Sequence, residues 1–361
     1  MDMSSLRDLC QASGPFASVY FEDSHDTEDA DQEVALRWRG VRDKLEADGA
    51  DEDTLAALDE AVAHAPPPVG KSGRAIVAAG GKVLLDWSLA GPPRDAVGRY
   101  SRLPYLVPLL EQHGASVPHV VVVADRTGAE VYGYGADNRL ITEESVDGEA
   151  GPMHKARGEA LKHRKAQQRV EDTVAQNAAE VADKVDMLIS RTGAQLLVIA
   201  GEIQARAALR EQLSPRAAEI AVETETGGRA AGTDQKALRD AVSALVAEQA
   251  QAREADVIER FQAESGRDEG KALQGIDGVV AALRLGNVAT VLVADPRFAG
   301  RTVGVGLDGS DVSTGDDLGA EATTEPADEA LLVAAALTGA SAVYVPHVEL
   351  TEGVGAVLRH T

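Results

Sequence analysis

The chain has 361 residues with 35 Lys/Arg against 59 Asp/Glu, a net charge of −24, and 44% hydrophobic but only 3% aromatic side chains. That length favours two or three domains over one, and so acidic a chain repels nucleic acid at long range, so any polyanion must be met locally. The single cysteine, Cys10, excludes an internal disulfide framework and a Cys-rich zinc site, which makes a reducing cytoplasm the expected compartment.

Taken in chain order, residues 17–21 (ASVYF) predict a short buried strand. The acidic stretch 22–31 reads as solvated surface. Apolar positions at Val34, Trp38, Val41 and Leu45, then at Leu55, Leu58 and Val62, predict two helices, the second stopped by Pro66-Pro67-Pro68. Residues 74–79 and 82–87 flank a Gly-Gly pair and predict a β-hairpin. Residues 91–117 read as a connector with a short helix at 106–110. HVVVVAD (119–125) and AEVYGY (129–134) predict a second hairpin, and 136–157 a polar loop. Apolar steps of three and four from Leu161 to Leu188 predict one long helix over 159–191. Strands are expected at 195–200 and 219–223, and helices near 203–213 and across 234–264. The last part predicts a helix at 278–285, a strand at 288–295, an acidic Gly-rich loop at 308–325, a helix at 328–337, and strands at 341–345 and 353–359. Strand–helix alternation implies α/β layers. No run reaches 18 apolar residues, and MDMSSLRDLCQASG lacks a basic region followed by an apolar one, so no membrane partner is expected.

Several motifs fail on inspection. Gly70-Lys71-Ser72 resembles the end of a P-loop, but the required first Gly falls at Ala65 and three prolines intervene. Residues 304–309 (GVGLDG) match G-x-G-x-x-G, yet SDVSTGDD follows instead of a helix start, which predicts a Gly-rich strand end. There is no H-E-x-x-H, G-x-S-x-G or calcium-loop spacing. No catalytic residue, metal or cofactor is therefore assigned, and the chain is read as a binding protein and not an enzyme.

One stretch opposes the overall charge. Residues 154–169 (HKARGEALKHRKAQQR) hold six Lys/Arg and one acid, a local +5. Lys162, Lys165 and Arg169 recur at three and four, hence on one helix face free of the apolar stripe. They sit at a helix start, where the macrodipole disfavours cations by a few tenths of a kcal/mol each. A phosphate-rich partner reverses that sign, whereas a solvated helix start does not require it. The expected RNA contacts are Lys155, Arg157, Lys162, His163, Arg164, Lys165 and Arg169. The connector supplies a second, weaker set, Arg94, Arg99, Tyr100 and Arg102, with interdomain packing as the competing explanation.

In residues 278–293 (GVVAALRLGNVATVLV) the helix–"A-L-x-x-G-x-V"–strand pattern, and in 352–359 (EGVGAVLR) the closing "G-G-I-G-A-I-L-R", resemble the archaeal and eukaryotic class-one release factor and Pelota superfamily. The hairpin, polar loop and basic-started helix are similar to that family's central domain, and to its bacterial, Balon-like branch. The resemblance implies an α/β, three-domain, release-factor/Pelota-like architecture: an N-terminal domain with connector (1–115), an RNase H-like central domain (116–266) and an L7Ae-like C-terminal domain (267–361). It further implies a ribosome hibernation role, in which the protein occupies the A site of idle ribosomes beside elongation factor Tu, as a monomer, with no DNA partner. The family's hydrolytic Gly-Gly-Gln is missing from the loop before the long helix; Gln167 and Gln168 are the nearest glutamines, and Gly227-Gly228-Arg229 comes too late in the chain. Holding the ribosome is therefore expected, with peptidyl-tRNA hydrolysis in ribosome rescue as the alternative and an RNA-independent interaction module as a third reading.

Overall fold

The computed structural model describes residues 1–25, 29–64, 71–89, 91–113, 117–135, 140–147, 160–228, 235–267, 270–315 and 317–360; side chains at 113 and 160–173 are not among them. The chain divides into two compact units, one formed by Met1–Gly114 with Gln251–Thr361, the other by Ala115–Ala250.

The first unit begins with a short helix α1 (Arg7–Gln11), strand β1 (Phe16–Glu22), helices α2 (Ala30–Ala47) and α3 (Glu52–Ala63), strands β2 (Gly73–Ala79), β3 (Lys82–Leu89) and β4 (Val97–Ser101), and helix α4 (Val107–His113). The strands form an antiparallel sheet in the order β3-β2-β1-β4. The β2–β3 turn is Gly80-Gly81 with both φ positive, +54° and +71°, as a two-residue type I′ hairpin demands. Asp51 caps α3, its carboxylate accepting from the Thr54 N–H at 2.9 Å. β1 is apolar without alternation because both its faces are covered. Ala17, Val19 and Phe21 pack with Trp38, Val41, Leu45, Leu55 and Leu58 of α2 and α3. Phe16 and Tyr20 enter a different core, built largely from residues 276–342.

The second unit contains β5 (His119–Asp125), β6 (Gly128–Tyr134), β7 (Leu140–Asp147), α5 (Ala160–Thr192), β8 (Leu196–Gly201), α6 (Ile203–Gln212), α7 (Pro215–Glu219), β9 (Ala221–Glu223) and the first half of α8 (Gln235–Ser265). Its sheet runs β7-β6-β5-β8-β9, with β7, β6 and β5 antiparallel and β5, β8 and β9 parallel, the RNase H-like arrangement. Val120, Val122, Leu197 and Ile199 face Val181, Val185, Leu188 and Leu209 of α5 and α6. Val121, Val123, Leu196 and Val198 face Val246 and Ala250 of α8. Burial on both faces explains the runs HVVVVAD and LLVIAG. Gly201 closes β8 at φ +107°, where an added Cβ would lie 1.9 Å from the Ala124 carbonyl oxygen, so no other residue fits.

The first unit resumes with β10 (Ala272–Gln274), α9 (Ile276–Arg284), β11 (Val288–Val293), β12 (Thr302–Val305), β13 (Val312–Ser313), β14 (Thr323–Pro326), α10 (Ala327–Thr338), β15 (Ser341–Tyr344) and β16 (Val354–Leu358). A four-stranded sheet β10-β16-β11-β15 and a three-stranded one, β13-β12-β14, result. In α10 nine of the twelve residues are buried, so its sequence is apolar on every side. It packs in one core with Met3, Leu6 and Leu9 from the start of the chain and Leu106 and Leu110 near α4. Asp2 bridges to Ser341, and the Ala342 N–H donates to the Met1 carbonyl at 2.8 Å, extending the sheet beside β15. The stretches expected as separate N- and C-terminal domains thus share a continuous core.

Three local expectations are corrected. The connector contains strand β4, and the expected polar loop contains edge strand β7. The acidic stretch 22–31 is not all solvated, since Asp23 and Ser24 are 7% and 4% exposed. The strand expected at 219–223 forms at Ala221–Glu223, directly after a short helix (Pro215–Glu219) capped by the Ser214 hydroxyl.

Candidate nucleic-acid interface

The basic stretch falls in the second unit, between β7 and α5. Lys155 and Arg157 lie outside the described residues. Lys162, His163, Arg164, Lys165 and Arg169 stand on the first turns of α5, whose backbone is helical from Ala160. The sheet fixes where this helix goes. β6 and β7 pair Gly128 with Asp147, so β7 ends level with the β5–β6 turn. Asn177 Nδ2 donates to the Arg126 carbonyl of that turn at 3.3 Å. From Ala178 onward, Val181, Val185 and Leu188 are buried against the sheet. At 1.5 Å per residue, residues 160–176 carry the helix about 25 Å beyond the level of the turn.

The described base of this projection is well ordered chemically. Asp125 Oδ1 accepts from the Thr127 N–H and hydroxyl, each at 2.7 Å, which closes the β5–β6 turn. Arg126 pairs with Glu202 at 2.9 Å, but both are largely exposed (61% and 47%), so the pair contributes at most ~1 kcal/mol.

The second set behaves differently. Arg99, on β4, donates to Asp328 at 2.9 Å and approaches Glu329 at 2.5 Å, both on the first turn of α10. Its guanidinium also covers the Tyr105 ring at 4.4 Å. Arg102 donates to the Thr323 hydroxyl and lies 3.8 Å from Glu325. Tyr100 donates to Asp51 at 3.3 Å, and Arg94 is exposed. Packing within the first unit therefore accounts for Arg99, Tyr100 and Arg102; the reason is their place on and beside a strand opposite acidic residues. Glu329 is fully buried, and burial pushes its carboxyl up to about 7, with Arg99 pulling the other way.

Of the two tempting Gly motifs, the first has Gly70 outside the described residues and a strand after Ser72, and in the second Gly306 bonds to Asp311 at 2.7 Å with no helix opening. Among the described residues no group of three metal-ligating side chains converges, and no helix is long and apolar enough to cross a membrane.

Residues 118–267 match the model of bacterial archaeo-eukaryotic release factor family 2. Two Mycobacterium tuberculosis proteins of uncharacterized function, from different strains, are each 36% identical over 368 residues, spanning 100% of this chain and 97% of their own. Among solved structures, Saccharomyces cerevisiae Dom34, a translation termination-like factor involved in RNA quality control and interacting with Hbs1, is 12% identical. It covers 100% of this chain and 92% of its own with a TM-score of 0.44. The archaeal Pelota of a ribosome-bound complex with ABCE1 is 16% identical, covering 99% and 94%, with a TM-score of 0.43.

Proposed function

The chain belongs to the bacterial branch of the archaeo-eukaryotic release factor family, and from that premise we propose that it is a ribosome-associated translation factor. In the finer reading it occupies the A site of idle ribosomes together with elongation factor Tu and does not hydrolyse peptidyl-tRNA. The observation that carries it is a coincidence of extents: the family match, 118–267, contains the whole +5 stretch and the helix that bears it. Lys162, Arg164, Lys165 and Arg169 stand on a helical projection, a placement suited to reaching phosphates while the acidic remainder stays clear. The absence of Gly-Gly-Gln before that helix favours holding over cutting.

The test is co-sedimentation with purified ribosomes, with and without elongation factor Tu. Pelleting that is lost when Lys162, Arg164 and Lys165 are changed to Glu supports the reading; unchanged pelleting of that variant sinks it. A stalled peptidyl-tRNA separates the alternative: peptide release above background that disappears with Gln167→Ala or Gln168→Ala makes the protein a hydrolase. Binding that does not weaken with rising salt would point to a protein partner, because phosphate contacts release counterions.

A further inference from the structure

Over the end of β1, the facing sides of α2 and α3 enclose a cavity of about 720 Å³, within the range of small-molecule sites. Three of its features define what it can hold. Its floor holds Asp23, 7% exposed, whose Oδ1 is buried without a hydrogen-bond partner among the described residues. Burial pushes this carboxyl above the usual range, against the Ser72 hydroxyl and the Arg74 guanidinium. Arg74 is engaged elsewhere: Asp86 holds its Nε and Nη2 at 2.9 and 2.7 Å, and the Ala61 carbonyl accepts from Nη2 at 2.8 Å. One wall is aromatic, with Trp38 and Phe21 at 6.2 Å between ring centroids, tilted by 41°. Asp59 fixes that wall by accepting from Trp38 Nε1 at 2.8 Å. The rim carries Arg39, exposed and without an ion pair among the described residues, whereas its neighbour Arg42 is held by Asp59 and Glu46 at 3.0 and 3.1 Å.

A buried acceptor oxygen and a rim cation, each without a partner among the described residues, and an aromatic wall between them define complementary chemistry. The ligand must offer an N–H donor, a planar ring and an anion, in that order. An α-amino acid carries its donor and anion on one carbon, so the two cannot reach the floor and the rim on either side of a ring. We propose that this cavity binds a free nucleoside monophosphate whose base bears an exocyclic amine. The amine donates to Asp23 Oδ1, the base lies against Trp38, and the phosphate meets Arg39. Nothing in this assignment depends on ribosome binding.

The full chain has two tryptophans, so Trp87→Phe leaves Trp38 as the sole reporter of that wall. In this background AMP and CMP are expected to change Trp38 emission saturably. UMP, which presents a carbonyl where CMP presents the amine, should bind at least about tenfold more weakly, because that acceptor would face the Asp23 acceptor. AMP should bind more tightly than adenosine, and Arg39→Ala should remove that advantage. Asp23→Ala should weaken AMP at least about tenfold yet raise the melting temperature of the free protein, since it removes a buried carboxyl with one oxygen left without a donor. The raised melting temperature also shows that the variant is folded. Equal affinity for AMP and UMP, AMP binding indifferent to Asp23→Ala, or no Trp38 response to any of these nucleotides at millimolar concentration overturns the assignment.

Discussion

The two units differ most in what they do with charge. The first, residues 1–114 with 251–361, carries 19 Lys/Arg against 38 Asp/Glu, a net −19; the second, residues 115–250, carries 16 against 21, a net −5. In the first unit cations are drawn into pairs with the surplus acids: Arg74 with Asp86, Arg99 with Asp328 and Glu329, Arg284 with Asp311 and Asp317, Arg301 with Asp277 and Glu352. In the second unit six of the sixteen cations stand together in residues 154–169 with one acid among them. Cations of the first unit are thus drawn into internal pairs, whereas the second combines such pairs, Arg206 with Glu223 among them, with one stretch in which positive charge is concentrated. Composition alone blurs this distinction, because both units are net acidic.

The comparison can be broken from either side. The largest effect is expected from Arg99→Ala, which leaves Glu329 fully buried and unpaired; at pH 8 it should destabilise the first unit by ~3–5 kcal/mol in denaturant unfolding. Its ribosome pelleting should match the parent protein below the unfolding transition. Equal loss of stability and pelleting would show that Arg99 is not confined to a structural role.

A pH series gives the next effect. Glu329 has its carboxyl raised from 4.5 to about 7, so the folded chain holds that proton more tightly than the unfolded one. Its contribution to stability is therefore complete below pH 4.5 and is lost as pH rises through about 7, by about 3 kcal/mol. Glu329→Gln should flatten this part of the stability–pH curve, and an unchanged slope would assign it to another group.

On the other side, the triple Glu substitution of Lys162, Arg164 and Lys165 should weaken ribosome binding by about 100-fold at moderate salt and shallow its salt dependence. The melting temperature should not fall, since acids in the first turns of a helix are favoured by its macrodipole. The smallest effect belongs to Asp51→Ala. Losing the α3 cap should lower stability by ~1 kcal/mol, read by thermal unfolding, with binding unaltered.

What was legible in the sequence followed burial. Strands covered on both faces, such as 119–125 and 196–201, announce themselves as unbroken apolar runs. The two missed strands lack that signature. β7 is an edge strand whose side chains are mostly exposed, so Thr142, Glu143 and Glu144 disguise it as a loop. β4 contains Gly98, where a Cβ would come within 2.9 Å of Val41 Cγ1, so close helix packing rather than propensity set its composition. Asp23 was missed because an acid in an acidic stretch reads as solvent-facing, and nothing local reports that β1 ends beneath a helix. The basic cluster was legible as charge, and its position on a projecting helix followed from the apolar periodicity of α5. Arg99 and Arg102 looked alike as cations in the sequence; only the fold shows which acids face them.

The helix α10 packs against residues from the opening of the chain, and this has a consequence for biosynthesis. Met3, Leu6 and Leu9 find their full surroundings only after Leu331 to Ala336 have been made. The contiguous stretch 115–250 can complete its own core earlier, because its sheet takes no strand from the first unit. A nascent chain would therefore carry a finished middle and an unfinished beginning while the residues from 251 to 336 are added. During that interval the apolar underside of β1, with Phe16 and Tyr20, awaits its cover, which makes the first unit the slow and aggregation-exposed step of maturation.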